Sequence, residues 1–371
     1  MSGHQKHKKI SRAKFGHFSR SEVSFLGAPC GDIEEICKKL AIQSKLNALY
    51  IDAKHGETLA KPELHVLEYQ QDHWRLTLND KEDDPYAWRR MTEEYDLSLI
   101  NGNHFESQQQ IICLHPKKFD SLKRKKDKLT RPVAMIDFTG QAKIPNELEE
   151  FLSSFKDLPI FNSDQISEIT TFVHNQCVAS TGVRGVVLTG GRSTRMGEDK
   201  SKLKYHGIEQ WEHMRDILGT YCDEVVVSVP RNSQSSDPQF IPDRLDNFGP
   251  FGGILSCFMD NPNKAHFVVA VDLPYVTGNT IEVLMEHRNP YKTATAFVNP
   301  DNGFPEPLIA IWEPKAYGKM LSFLGMGYTC PRKVLINSDI ATAPLQDERW
   351  IRNANTPEER EEFMEELGSR D

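Results

Sequence analysis

Apolar positions along the chain fall into two rhythms. Short runs rich in Val, Ile and Leu, closed by glycine, a polar residue or a charge, predict strands. They lie at 24–27, 48–52, 96–105, 110–114, 133–137, 185–188, 224–229, 266–271, 293–298, 307–312 and 350–354. Between them apolar residues recur with a helical period. Ile33, Ile36, Cys37 and Leu40 share one face of a helix over 32–40. Trp211, Met214 and Leu218 do the same over 210–218, and 165–176 reads as a further helix, capped by Ser163 or Asp164. Near the end, Thr356 caps and Pro357 opens a last helix.

Strands alternating with helices predict an α/β class with mostly parallel sheets. At 371 residues two domains are expected. The first spans 21–155, a linker runs over 156–182, where the apolar pattern thins, and the second spans 183–371. Residues 1–20, rich in Lys, His and Arg, are expected to form a basic solvated tail. A net charge of −8 excludes a non-specific nucleic-acid binder, so anionic ligands must be met by local basic clusters. The seven cysteines show no C-x-x-C or other metal-ligand spacing, which predicts reduced thiols and a cytoplasmic setting. The basic N-terminus is not followed by the apolar stretch of a signal peptide, and no run of about 18 apolar residues predicts a membrane span.

The densest chemistry lies after the run Val186-Val187-Leu188. There Thr189, Gly190, Gly191, Arg192, Ser193, Thr194, Arg195, Met196, Gly197, Glu198, Asp199 and Lys200 follow in one loop. Glycines after a strand let backbone N–H groups approach a polyphosphate, and the cations neutralise charge in a phosphoryl-type transition state. The spacing is neither G-x-x-x-x-G-K-[ST] nor G-x-G-x-x-G. A second glycine-rich turn, Gly249-Pro250-Phe251-Gly252-Gly253, follows Asp243 and opens a helix whose N–H groups would face a ligand. The run 266–271 delivers Asp272 at its carboxyl end, followed by Leu273 and Pro274, a rigid oxygen donor suited to Mg²⁺.

From Leu188 to Lys200 the loop resembles the signature L-x-G-G-x-S-x-R-M-G-x-D-K of the molybdenum cofactor guanylyltransferases (the MobA type), and the likeness extends over about 182–364. It implies a Rossmann-like nucleotidyltransferase fold for the second of two three-layer α/β domains. It also implies GTP and molybdopterin as substrates, with GMP transferred and pyrophosphate released. Asp272 falls on the family's Mg²⁺ aspartate and Asn355 on the asparagine associated with that ion. Arg195 and Lys200 fall on the residues that handle the triphosphate. Leu188, Thr189, Gly190, Gly191, Arg192, Ser193 and Lys200 form the nucleotide loop, and Asp243, Gly249 and Gly253 match the region that reads guanine. Thr189 replaces the usual Ala, and Phe251 and Gly252 vary the usual G-P-L-A-G, in the neighbourhood of the expected base pocket. A molybdoenzyme or a molybdenum-insertion protein would be the further partner, with no nucleic acid or membrane involved.

Over roughly 20–140 the chain resembles a degenerate relative of the P-loop accessory protein of molybdopterin dinucleotide synthesis (the MobB type). The layout strand, Gly27-Ala28-Pro29-Cys30-Gly31, helix is that of a phosphate-binding loop, and Asp96, Leu97 and Gly102 echo a D-L-x-x-x-x-G pattern. Asp32 and Ile33 stand where such a loop needs Lys and Ser or Thr. That implies a fold retained without its GTP. Asn101, Asn103, His104 and Glu106 form a polar cluster after a predicted strand. Two alternatives to the guanylyltransferase stand beside it. One is a transferase of the same fold acting on CTP or a sugar phosphate. The other is a cofactor carrier without catalysis, which would have no need of Arg195, Lys200 and Asp272.

Overall fold

A computed structural model of the chain describes residues 18–53, 66–70, 73–77, 92, 94–189, 204, 206–233, 237–245, 247–354 and 356–368. The chain divides into two compact units, residues 1–174 and 175–371.

The first unit is built on β1 (Glu22–Leu26), α1 (Cys30–Ser44), β2 (Ala48–Ile51), β3 (Val66–Gln70), β4 (His73–Thr77), β5 (Leu97–Asn101) and β6 (Gln110–Leu114). Two short helices follow, α2 (Phe119–Lys123) and α3 (Asn146–Glu149), around β7 (Pro132–Asp137), and β8 is Ile160–Asn162. Six strands form one sheet in the order β2-β5-β1-β6-β7-β8, and every pair in it is parallel. β3 and β4 form a separate antiparallel ribbon. The face of α1 predicted from its period is the buried one: Ile33, Ile36, Cys37 and Leu40. Two glycines make the sheet's edge possible. Gly27 has φ +100°, and a Cβ there would lie 2.5 Å from the Cys113 carbonyl oxygen. Gly102 donates its N–H to Phe25 O at 2.8 Å, with no room for a side chain against Leu26 and Ser24.

α4 (Ile166–Ser180) leads into the second unit. There β9 (Val183–Leu188), α5 (Gln210–Gly219), β10 (Glu224–Val229), β11 (Phe240–Pro242), α6 (Gly249–Asp260), β12 (Ala265–Ala270) and α7 (Gly278–Glu286) follow in order. β13 (Ala294–Val298), β14 (Pro305–Trp312), α8 (Lys315–Gly325), α9 (Pro331–Ile336), β15 (Ala341–Ala343) and α10 (Pro357–Gly368) complete it. The seven-stranded sheet runs β11-β10-β9-β12-β14-β13-β15. The first four are mutually parallel, and β14 is antiparallel to both neighbours. The chain moves outward from β9 to β10 and β11, then crosses to β12 on the other side. That reversal is the topological switch point at which α/β sheets open a ligand crevice beyond the carboxyl ends of the strands. Beneath it β9 and β12 are buried along their whole length, as expected for central strands.

Two differences from the sequence reading have physical causes. Ile160–Asn162, in the stretch expected to be a linker, forms β8 because it pairs with β7. The region 350–354 is not a strand; Glu348–Ile351 is a 3₁₀ turn. Asp347 caps it by accepting from the Arg349 N–H at 3.0 Å, and Trp350 is buried as a single anchor against Phe297, ring centroids 5.7 Å apart. Phe251 is fully buried in the hydrophobic core of the second unit.

Candidate active site

Three strands, β9, β10 and β12, supply the framework of the site. β9 ends at Leu188, whose carbonyl accepts from Val271 N at 3.2 Å, just past β12. Thr189 follows, and both its N–H and its hydroxyl donate to the Ser228 carbonyl, at 3.1 and 2.7 Å. The hydroxyl that replaces the family's Ala is therefore used to tie the end of β9 to the end of β10. Gly190, Gly191, Arg192, Ser193, Arg195 and Lys200, the rest of the predicted loop, lie outside the described residues, as does Asn355.

On the β10 side the Ser228 hydroxyl donates to Asp243 Oδ1 at 3.2 Å. Asp243 also donates its own N–H to Val229 O at 2.9 Å, directly after β11. The next residue, Arg244, donates its N–H to the Ser256 hydroxyl on α6 at 2.8 Å, so the loop is pinned to that helix. Gly249 opens α6 with φ +55°, a conformation that favours glycine. Gly253, one turn on, lies against the ends of both strands. A Cβ there would fall 2.7 Å from Ser228 Oγ, 3.1 Å from Leu188 Cδ2 and 3.4 Å from Asp243 Oδ1. The structure thus brings Leu188, Thr189, Asp243 and Gly253 together at the switch point. Sequence reasoning missed Ser228, which joins them. Its signal was one hydroxyl in the otherwise apolar stretch Val225–Val229.

On the β12 side Asp272 sits in the turn that follows the strand, with its Oδ1 shielded from solvent. Its backbone carbonyl accepts from Ala354 N at 2.9 Å. This bond brings Ala354 to the Asp272 turn from 82 residues further along the chain. Thr356 then caps α10 reciprocally, its N–H donating to Glu359 and its hydroxyl accepting from the Glu359 N–H. Phe363 of α10 packs edge-on against Tyr275 at 4.6 Å and against His206 at 5.8 Å. Arg352 pairs with Glu362 at 2.6 Å. The turn and the C-terminal helix are thus held together.

His206 stacks on His213, centroids 3.8 Å apart. Burial lowers the pKa of both, that of His213 to about 4, aided by His206 itself. The pair is therefore neutral at pH 7. Among the described residues no three His, Cys, Asp or Glu side chains converge as a metal cage.

A MobA-like NTP transferase domain model matches residues 185–339. A molybdenum cofactor biosynthesis bifunctional protein of Synechocystis sp. is 33% identical over 186 residues, which is 49% of this chain and 54% of that protein. The chain thus spans about half of that relative's length. A probable molybdenum cofactor guanylyltransferase of Mycobacterium bovis is 32% identical over 179 residues, 46% of this chain and 88% of that protein. Among solved structures, the molybdopterin-guanine dinucleotide biosynthesis protein A of Archaeoglobus fulgidus is 20% identical with a TM-score of 0.43, covering 50% of this chain and 99% of that one. With nearly the whole of the Mycobacterium bovis relative matched at that identity, the chain belongs to the molybdenum cofactor guanylyltransferase family, whose nucleotidyltransferase domain is its second unit.

Proposed function

We propose that the second unit transfers GMP from GTP to a terminal phosphate of molybdopterin and releases pyrophosphate. One observation carries the proposal. The strand that ends at Leu188 and the strand that delivers Asp272 are adjacent and parallel, and Ala354 is hydrogen-bonded to the Asp272 carbonyl at the same edge.

The acceptor phosphate is already an oxyanion, so in-line attack on the α-phosphorus needs positioning and charge neutralisation more than a base. The Gly190–Gly191 backbone would cradle the triphosphate, and Arg195 and Lys200 would stabilise the charge that moves to the leaving pyrophosphate. Asp272 and Asn355 would hold Mg²⁺, which when bound neutralises phosphate charge. Asp243 offers only acceptor oxygens, which suits the N–H donors on guanine's Watson–Crick edge. Its orientation is set by Ser228 and by the close approach of Gly253. The Arg192 and Ser193 backbone would complete the loop around the nucleotide.

Calorimetry on the full chain with GTP, CTP, ATP and UTP in the presence of Mg²⁺ tests the base. Pyrophosphate release with molybdopterin tests the acceptor. GTP binding at a single site, with release only when molybdopterin is present, is the expected result. Preference for CTP would keep the reaction class and change the product. Absence of nucleotide binding would refute the transferase reading.

A further inference from the structure

The carboxyl edge of the first unit's sheet assembles chemistry that the transferase reaction does not use. Three adjacent strands, β2, β5 and β1, each deliver one functional group just past their ends. These are Asp52, His104 and Cys30. The Cys30 Sγ lies 3.3 Å from His104 Nε2, and Asp52 Oδ1 lies 3.7 Å from the same nitrogen. Asp52 is fixed in turn by the Tyr50 hydroxyl at 2.9 Å and by the Ala53 N–H at 2.7 Å. Cys30 is half-buried and is the first residue of the 15-residue helix α1, whose N-terminal dipole favours an anion there.

The loop that would have held a phosphate is braced from within. Asn103 accepts from Gly27 N and donates to Ala28 O at 2.9 Å, and it also accepts from Lys125 Nζ at 2.8 Å. That lysine carries its positive charge close enough to Cys30 to interact with it. Asp32 is turned away to His115, 3.3 Å from Nε2.

We propose that Cys30 is a nucleophilic thiol, with His104 Nε2 as its proton acceptor and the Asp52 carboxylate stabilising the imidazolium that then forms, and that it takes low-molecular-weight disulfides. The Sγ proton passes to His104 Nε2. The thiolate attacks one sulfur of the disulfide, forming a new S–S bond as the old one breaks. The departing thiolate takes the electron pair and recovers the proton from His104, leaving a mixed disulfide on Cys30. No net oxidant is needed beyond the disulfide itself.

The other thiols of this unit supply a contrast. Cys37 and Cys113 are buried, and burial pushes both well above the usual thiol range. Cys330, exposed in the second unit, is an internal comparator.

The test is iodoacetamide alkylation of the full chain, read site by site by peptide mass spectrometry between pH 5.5 and 9. Among the described residues, the charged groups around Cys30 that shape this profile are His104, Asp52 and Lys125, with Asp32 turned to His115. With a proton acceptor 3.3 Å from its sulfur, Cys30 is expected to react about tenfold faster than Cys330 at pH 7. His104→Gln should bring it to the Cys330 rate, and Asp52→Asn should shift the profile partway. In guanidinium the two cysteines should react alike, which separates the effect of the fold from that of local sequence. Oxidised glutathione should give a mixed disulfide at Cys30 before Cys330. A native Cys30 no faster than Cys330, or a Cys30 profile unchanged in folded His104→Gln, overturns the proposal.

Discussion

Gly253→Ala puts one methyl group into the tightest contact of the candidate active site, and the structure supplies its arithmetic. The added carbon would lie 2.7 Å from Ser228 Oγ and 3.1 Å from Leu188 Cδ2. Overpacking of this kind costs about 1–3 kcal/mol. Alanine inside α6 returns about 1 kcal/mol of helix propensity. The net expectation is a loss of about 1 kcal/mol. Relief requires Ser228 Oγ to turn away from Asp243, which removes the bond that orients the carboxylate. Stability should therefore fall by about 1 kcal/mol or more, while GTP affinity should fall about tenfold or more, since about 1.4 kcal/mol is one decade. The sharper test is a double-mutant cycle. Ser228→Ala alone loses a hydrogen bond to a charged acceptor, about 1.5–3 kcal/mol. Gly253→Ala added to it finds the space vacant and should stabilise. The two changes should couple favourably by about 2 kcal/mol, well beyond the roughly 0.5 kcal/mol scatter of independent sites. Urea titrations followed by peptide-resolved hydrogen exchange over α6 and β10 would measure the cycle within the second unit. Additive effects, or a single Gly253→Ala variant that is both more stable and unchanged in GTP binding, would refute the reasoning.

Asp272→Ala should abolish Mg²⁺-dependent pyrophosphate release while leaving the circular dichroism spectrum unchanged; near-normal turnover would remove the metal role. Arg288 is bound bidentately to Glu313, at 2.7 and 3.0 Å, and Glu313 is fully buried. Arg288→Met leaves that carboxylate uncompensated and should cost about 3–5 kcal/mol in a urea titration, most of it recovered in Arg288→Met/Glu313→Leu. His266 is fully buried, with its pKa lowered by burial to about 3, and that of His213 is lowered to about 4. Both stabilise the fold in their neutral forms. Their contribution is complete above about pH 6.5, the unfolded value, and is lost as pH falls toward the folded values, by about 1.4 kcal/mol per pH unit for each. His266→Gln should flatten the stability profile between pH 6 and 4 by about that slope, and an unchanged slope would show that this histidine is protonated without cost.

How much of this could be read beforehand depended on whether an element carries its own signal or borrows one. The buried face of α1 and the runs that became β6, β9 and β12 were legible because periodicity and β-branched residues act locally. β8, β11 and β15 have three residues each and exist through the strands they pair with, so their sequences alone could not announce them. In the site, Gly253 and Asp272 stood out because a glycine-rich turn and a carboxylate after a strand are chemically conspicuous, and Asp243 through its place before that turn. Ser228 did not, since a single hydroxyl in an apolar strand is ordinary until its partner is known. Cys30 and His104 are 74 positions apart and became a pair only through the order β2-β5-β1, which no local pattern encodes. A residue that acts through its own backbone geometry can be found in the sequence. One that acts through a contact made by sheet order has to be found in the fold.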